Sequence, residues 1–133
     1  QFDVEVHSFS GDVRQSAFAN AAVDYANDKL GCSVDVLINN AGTIFRGDAC
    51  HTDDEQWQEV IDINLNGVFY FSRAVANQMH NGGAIINISS VCGRVGSAGL
   101  AAYCASKGAV NMLTRTMALE LAKKKINVNR RWE

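Results

Sequence analysis

The segment "VDVLINNAG", residues 34–42, joins an apolar run to a polar turn and decides the fold. Its first part, Val34 to Asn39, is short, nearly continuous in apolar residues and rich in β-branched ones, which is typical of a strand buried in a parallel sheet. A second run of this kind, "AIINIS" from Ala84 to Ser89, follows after a helical pattern. Because parallel strands need such a connecting helix, the two runs predict a right-handed strand–helix–strand unit.

The same alternation of patterns precedes this unit. The segment "FDVEVHSF", from Phe2 to Phe9, alternates apolar and polar residues and predicts a strand. Residues Arg14 to Leu30 carry apolar side chains at helical spacing, and Gly31 favours an end to that helix.

The connection between the two central strands has the signals of a long helix. A capping box, with Thr52 as N-cap and Glu55 three residues later, predicts a helix that continues to about Met79. Residues that disfavour helix interrupt its periodicity around Asn64, so we expect a kink or break there.

A third helix is expected from Ala101 to Lys124, and the segment "INVN" from Ile126 begins another strand. The whole order predicts an α/β fold, a doubly wound, Rossmann-like parallel sheet with helices on both faces, in a single domain. Ligands of such sheets bind at the carboxyl ends of the strands. Asp12, the "NAG" turn and Ser90 lie at that edge.

The composition limits the possible partners. The chain has 133 residues, of which 47% are apolar and 20% charged, and its net charge is −2. These values are ordinary for a globular domain, and the charge gives no reason to expect nucleic acid or an acidic membrane as a partner. No apolar run is long enough to span a bilayer. The four cysteines form no C-x-x-C motif, so we expect reduced thiols, no metal site and a soluble cytoplasmic protein.

Tyr103 and Lys107 are four residues apart in the third predicted helix, so their side chains share a face. A free phenol titrates at about pH 10, and a nearby ammonium favours the phenolate, as a general acid/base near neutral pH requires. A surface pair on an amphipathic helix would show the same spacing.

Two further polar residues have both a structural and a functional interpretation. Ser90 directly follows a predicted buried strand, where its hydroxyl could satisfy the backbone or bind a ligand. Asn64 is unfavourable inside a helix, and it could be the N-cap of the second half of a broken helix or a functional residue.

Taken together, four segments resemble the short-chain dehydrogenase/reductase family in order and spacing. They are "NNAG" (39–42), "INLNG" (63–67), "IINISS" (85–90) and "YCASK" (103–107). The resemblance covers nearly the whole chain, and it implies an oxidoreductase that uses NAD or NADP. The hydride chemistry belongs to that cofactor.

The resemblance also implies catalytic roles. Tyr103 would be the general acid/base, and Lys107 would favour its phenolate and hold the nicotinamide ribose. Ser90 would hydrogen-bond the substrate oxygen, with Ser89 as the rival serine, and Asn64 would anchor a water in the proton relay.

The cofactor residues implied by the resemblance, besides Tyr103 and Lys107, lie at the strand ends. Asp12 and Val13 would recognise the adenine. The adenosine side of the cleft would be lined by Asn40, Ala41 and Gly42.

The resemblance makes residues 1–129 the central part of an NAD(P)-binding domain that is incomplete at both ends. The first strand, the glycine-rich phosphate loop and the second strand of the family would precede Gln1, and the residue that selects NAD or NADP lies in that region. Residues 130–133, "RRWE", depart from the family pattern and form an atypical tail. We expect this chain alone to be inactive.

The expected substrates are a small alcohol and its ketone. The alternatives are a nucleotide-binding regulatory or scaffold protein without turnover, and a non-redox reaction such as dehydration or epimerisation. In the family, the helices that match Trp57 to Met79 and Ala101 to Lys124 often form subunit interfaces, so we expect a homo-oligomer, a tetramer or a dimer.

Overall fold

Helices and strands alternate in the structure as the sequence predicts. The computed structural model describes residues 4–132. The helices are α1 (Ser16–Leu30), α2 (Asp54–Ile61), α3 (Gly67–Gln78) and α4 (Ala101–Leu121), and the strands are β1 (Val36–Asn39), β2 (Gly83–Ser89) and β3 (Ile126–Trp132). A π-helical segment, Asp62–Asn66, joins α2 to α3, and 3₁₀ turns follow β2 (Val91–Gly93) and α4 (Ala122–Lys124).

The three strands form a parallel sheet in the order β1–β2–β3, which confirms the predicted parallel pairing. Leu37, Ile85 and Val128 lie in register across the sheet. The carboxyl ends of all three strands therefore lie at one edge, where the sequence places its polar turns.

The hydrophobic core lies on the face of the sheet that carries Ile85 and Val128. Its other members come from the helices and from the start of β3, namely Val23, Ala74, Val75, Ala76, Met79, Met117 and Ile126. On the opposite face Val36 and Ile38 are 52% and 58% exposed. The described part of the chain thus covers one face of the sheet with α1, α3 and α4. Burial of β1 on both faces, expected from its apolar run, is wrong for these residues because no described helix packs on its second face.

The predicted strand at Phe2–Phe9 is wrong over residues 4–9, and residues 2 and 3 lie outside the described part of the chain. Residues 4–10 have neither helical nor strand pairing, and Val6 is 82% exposed. Phe9 stacks instead on Phe18 and Tyr25 of α1, at ring-centroid distances of 5.5 Å and 4.7 Å. Alternation makes a strand only where a neighbouring strand supplies backbone partners, and none of the described strands pairs with this segment.

Helix α2 begins one residue later than the capping-box motif predicts. Its N-cap is Asp53, whose carboxylate accepts from the Gln56 N–H at 2.8 Å while Gln56 Oε1 accepts from the Asp53 N–H at 3.2 Å. The Thr52 hydroxyl donates to the carbonyl of Asp48 at 2.9 Å and does not cap the helix. Aspartate is a better N-cap than threonine, and Asp53 and Gln56 have the capping-box spacing one residue later, which accounts for the shift in register.

The interruption predicted around Asn64 is present, but it does not break the helix. The segment Asp62–Asn66 remains helical with a π pattern, and the Gly67 N–H donates to the carbonyl of Asp62. Asn64 is therefore not an N-cap, and α2 and α3 run as one helix with a local bulge.

The other element ends agree with the sequence signals. Gly31 ends α1 in the left-handed conformation at φ 66°, as expected for a C-terminal glycine. Strand β3 includes residues 130–132 of the segment that departs from the family pattern, with Arg130 paired to Asn87 and Trp132 to Ser89. Within residues 4–132, none of the helices has both the length and the apolarity of a membrane span.

Candidate active site

Buried amides anchor the carboxyl ends of β1 and β2 to the helices. Asn39 donates to Ser72 Oγ at 3.0 Å and to Asn87 Oδ1 at 2.9 Å, and Asn87 in turn donates to Thr114 Oγ1 at 2.9 Å. All four side chains are buried. Buried polar groups have to be paired, and a fully paired network fixes one arrangement of the elements that it joins.

Ser89 and Ser90 have different surroundings. Ser89 is 1% exposed, and its hydroxyl donates to Asn111 Oδ1 at 2.7 Å. Ser90 caps the 3₁₀ turn, where its Oγ accepts from the Cys92 N–H at 3.3 Å. An accepted hydrogen bond does not use the hydroxyl proton, so Ser90 keeps a donor for a ligand oxygen. This favours Ser90 over Ser89 as the substrate-binding serine.

Tyr103 and Lys107 share a face of α4 and meet above the end of β2. The Lys107 Nζ lies 5.7 Å from the centroid of the Tyr103 ring and donates to the carbonyl of Ile88 at 2.8 Å. Lys107 is 5% exposed, whereas Tyr103 is partly exposed. A lysine is almost never buried so completely unless its ammonium has a defined task or partner.

Helix α1 carries the same spacing in an ordinary surface setting. Lys29 Nζ lies 5.6 Å from the ring centroid of Tyr25, but Lys29 is exposed. The two pairs have almost equal distances, so burial and the adjacent strand end distinguish the Tyr103–Lys107 pair from a surface pair.

Asn64 links three parts of the site through its side chain. Its Oδ1 accepts from the Thr43 N–H at 2.7 Å, and its Nδ2 donates to the Thr43 carbonyl at 2.8 Å and to Ser106 Oγ at 3.1 Å. The Ser106 hydroxyl donates to the carbonyl of Tyr103 at 2.8 Å. These bonds tie the loop after "NAG" and the π-helical segment to the helix that carries Tyr103.

Gly42 completes this group of residues. A Cβ placed on Gly42 would lie 3.5 Å from Asn64 Oδ1 and 3.8 Å from Lys107 Nζ. The structure therefore brings the end of the "NAG" turn next to the buried lysine, as the sequence prediction requires.

A separate cleft lies beside the end of β1. It has a volume of about 150 Å³, and its lining includes Val13, Asn40 and Ala41 together with apolar residues of β1 and α3. Gly67 permits this arrangement, because a Cβ there would lie 3.2 Å from the carbonyl oxygen of Val13. Three of the five residues predicted for the adenosine side thus line one mainly apolar cleft.

Asp12 is paired with a neighbour in sequence. Its carboxylate accepts from Arg14 Nε at 2.9 Å and from Nη2 at 2.7 Å, and also from the Arg14 backbone N–H at 2.9 Å. These hydrogen bonds from the Arg14 side chain and backbone lower the pKa of Asp12. The carboxylate is therefore ionised at neutral pH and already holds a cation.

Sequence reasoning missed several polar residues that support the site. Ser106, Asn111 and Thr114 are buried on α4 and contact the π-helical segment, the turn after β2, and β2 itself. Ser106 lies three residues after Tyr103, and Asn111 and Thr114 lie four and seven residues after Lys107, which are spacings of one helix face. That periodicity was the signal that could have identified them.

Comparisons with known proteins identify the family. The family model described as short chain dehydrogenase matches residues 1–130. The chain is 40% identical over 125 residues to 2-dehydro-3-deoxy-D-gluconate 5-dehydrogenase of Escherichia coli (strain K12), covering 92% of this chain and 49% of that protein. It is 43% identical over 130 residues to cyclopentanol dehydrogenase of Comamonas testosteroni, covering 94% and 50%.

A solved structure shows the same fold. The gluconate 5-dehydrogenase of Burkholderia cenocepacia J2315, in complex with NADP and tartrate, has a TM-score of 0.88 and 35% sequence identity, covering 92% of this chain and 48% of that one. The chain thus spans about half the length of the curated relatives that it matches. The matched motifs, the parallel sheet and these similarities agree, and the chain belongs to the short-chain dehydrogenase family.

Proposed function

We propose that this chain is the central part of an NAD(P)-dependent oxidoreductase that interconverts a secondary alcohol and a ketone. The observation that carries the proposal is the buried Lys107 beside Tyr103, at the strand end that leads to Ser90. A desolvated ammonium next to a phenol is suited to general acid/base catalysis, because it favours the phenolate that is left after proton donation.

In the direction of ketone reduction, Tyr103 gives its phenolic proton to the carbonyl oxygen while a hydride reaches the carbonyl carbon. Bound nicotinamide supplies that hydride. Ser90 donates a hydrogen bond to the same oxygen and so stabilises the charge that develops on it. Lys107 stabilises the phenolate of Tyr103, and the reverse transfers oxidise the alcohol.

The hydrogen bonds of the Asn64 side chain limit how it can take part in proton transfer. Both of its amide protons are used, by Thr43 and by Ser106, so its side chain can receive a relay water only at Oδ1. We assign Asn64 first to holding the loop and α4 in position, and second to anchoring that water.

We assign the adenosine half of NAD or NADP to the cleft beside β1. Val13 and the mainly apolar lining suit a flat base, and Asn40 and Ala41 offer polar backbone groups at the strand end. Gly42 and Lys107 lie on the side of the site that would hold the nicotinamide ribose. The solved relative from Burkholderia is described with NADP, which supports a nicotinamide nucleotide of this class.

The relatives support a small alcohol or sugar-derived substrate, because they include dehydrogenases named for a deoxy-gluconate and for cyclopentanol. Those names favour turnover over the regulatory or scaffold alternative.

The four cysteines carry free thiols, which supports the reducing cytoplasm as the location. Exposed apolar side chains on α2, α3 and α4, at Trp57, Phe69, Met112 and Leu119, support a homo-oligomer.

The experiment is a ketone panel with NADH and NADPH, on protein expressed from its complete reading frame, in which Tyr103→Phe is compared with Tyr25→Phe. Tyr25 is the matched control because it also has a lysine near its ring. We expect Tyr103→Phe to lower kcat by about 10²–10⁴-fold with nucleotide binding retained, and Tyr25→Phe to leave it unchanged. Nucleotide binding without turnover in the unmodified protein would contradict the proposal and favour the binding-protein alternative.

A further inference from the structure

Asn111 joins the two ends of the segment that carries Ser90. Its Oδ1 accepts from the Ser89 hydroxyl at 2.7 Å, and its Nδ2 donates to the carbonyl of Gly93 at 2.9 Å. Asn111 is 7% exposed and lies one helical turn after Lys107 on α4. One amide therefore holds the residue before Ser90 and a residue three positions after it against the helix that carries the acid/base pair.

The turn between these two points has weak local support. It is a three-residue 3₁₀ helix, in which the Gly93 N–H donates to the Ser90 carbonyl at 2.9 Å and the Arg94 N–H to the Val91 carbonyl at 2.9 Å. Val91 is 60% exposed and adds little burial. A short 3₁₀ turn has poor hydrogen-bond geometry, so its position depends on contacts with other elements.

The turn packs so closely on α4 that there is no room for a side chain at position 93. A Cβ on Gly93 would lie 2.5 Å from Asn111 Nδ2 and 2.7 Å from the backbone carbonyl oxygen of Lys107. The turn thus lies directly against the backbone of the catalytic helix, and the amide of Asn111 fills the space between them.

We propose that Asn111 is a positioning residue that sets the distance between the Ser90 hydroxyl and the Tyr103–Lys107 pair. The inference rests on the proposed function, since the distance matters only if Ser90 and Tyr103 act on the same substrate oxygen. Asn111 touches no reacting atom in this scheme. It acts through the turn, and a displacement of about 1 Å in such a group costs on the order of 10²-fold in rate.

The test compares three variants of the protein expressed from its complete reading frame. Asn111→Ala removes both contacts, and Asn111→Asp keeps an acceptor for Ser89 but loses the donor to Gly93. Thr114→Val is the matched control, because Thr114 is also a buried polar residue of α4. Its hydroxyl oxygen accepts from Asn87 on β2 and makes no contact with the turn among the described hydrogen bonds. The measurements are kcat, KM, the nucleotide Kd, and amide hydrogen exchange of the peptide that contains residues 91–95.

We expect Asn111→Ala to lower kcat by about 10–100-fold, with the nucleotide Kd changed by less than about threefold, and to speed exchange at Gly93 and Arg94. Asn111→Asp should show the same pattern, while Thr114→Val lowers stability and leaves the exchange of this peptide unchanged. Equally fast exchange of this peptide in Asn111→Ala and Thr114→Val, or unchanged exchange in Asn111→Ala, would overturn the proposal.

Two further results of the experiment also bear on the proposal. If Asn111→Ala does not fold, Ser89→Ala removes one of the two contacts and must show the same loss of kcat with faster exchange. If the unmodified protein has no turnover on the ketone panel, the proposed function fails and this role of Asn111 fails with it. Turnover in the unmodified protein with unchanged exchange in the variants overturns only the role of Asn111.

Discussion

The ammonium of Lys107 on α4 donates to the carbonyl oxygen of Ile88 on β2 at 2.8 Å, two residues before Ser90. This bond ties α4 to the strand that ends beside Ser90. It also orients the buried lysine beside the Tyr103 ring, 5.7 Å from its centroid. The chain thus uses one side chain both to join two elements and to place a positive charge.

We expect Lys107→Met to lower kcat by at least about 10²-fold, because the variant removes the charge beside the phenol but keeps a side chain of similar length. The protein should remain folded, with a loss of about 1–3 kcal/mol from the unpaired Ile88 carbonyl. Steady-state kinetics and urea unfolding measure the two effects. Lys29→Met is the control, since Lys29 lies at nearly the same distance from a tyrosine but is exposed. Full turnover in Lys107→Met would contradict the assigned role.

Gly93 offers a test of how closely the turn lies against α4. Gly93→Ala would place a methyl group 2.7 Å from the Lys107 carbonyl oxygen, and that backbone atom cannot move without moving the helix. We expect a loss of about 1–3 kcal/mol in the free energy of unfolding together with a lower kcat. Gly96→Ala is the matched control, because a Cβ there meets no atom within 4 Å. If both variants unfold at the same urea concentration, the close approach is not maintained in solution.

The central strands and the helix α4 could be predicted from the sequence because their signals are local. The apolar runs at residues 34–39 and 84–89 and the helical spacing around Tyr103 need no information about distant residues. The strand prediction failed over residues 4–9 for the opposite reason, since alternation of apolar and polar residues becomes a strand only beside a partner strand. The N-cap is Asp53 and not Thr52 because Asp53 and Gln56 form a capping box one residue later, a second motif of the same kind that the prediction did not consider.

The residues of the site also divide into those that local spacing predicts and those that depend on distant contacts. Motif spacing predicted Tyr103 and Lys107, and the structure places them on one helix face. The contacts of Asn111 could not be predicted because Ser89 and Gly93 are 22 and 18 residues away in sequence, and only the packing of the turn on α4 brings them together. The burial of Lys107 could not be predicted from the sequence either, although burial is what distinguishes Lys107 from the exposed Lys29.

Asn64 should be important for stability as well as for catalysis. It is fully buried, and its three hydrogen bonds reach Thr43 and Ser106. Asn64→Ala leaves the partly buried Thr43 backbone groups without these partners, so we expect a loss of about 2–4 kcal/mol in the free energy of unfolding. Asn66→Ala is the control, because the Asn66 side chain bonds only Asp62 on the same helical segment among the described contacts. Urea unfolding checks the pair, and equal losses would show that the Asn64 network does not stabilise the loop.

The pairing of Asp12 with Arg14 predicts a measurable pH effect. Hydrogen bonds from Arg14 lower the folded-state pKa of Asp12, so the contribution of this pair to stability is present above the unfolded-state pKa and is lost as the pH falls through the lower folded value. We expect Arg14→Gln to raise the pKa of Asp12 toward its ordinary value and to remove this contribution. A ¹³C NMR titration of the Asp12 carboxyl group measures the shift directly.

The control for this titration is Arg46→Gln, which makes the same change in net charge at an exposed loop position. Because the Asp12–Arg14 pair lies at the surface, added salt should weaken the Coulomb part of the shift and leave much of the hydrogen-bond part. If Arg14→Gln and Arg46→Gln gave the same Asp12 titration, the pair would not form in solution. Asp12 would then be free to bind the adenine, as the family resemblance implies, whereas a persistent pair means that a bound nucleotide has to compete with Arg14 for that carboxylate.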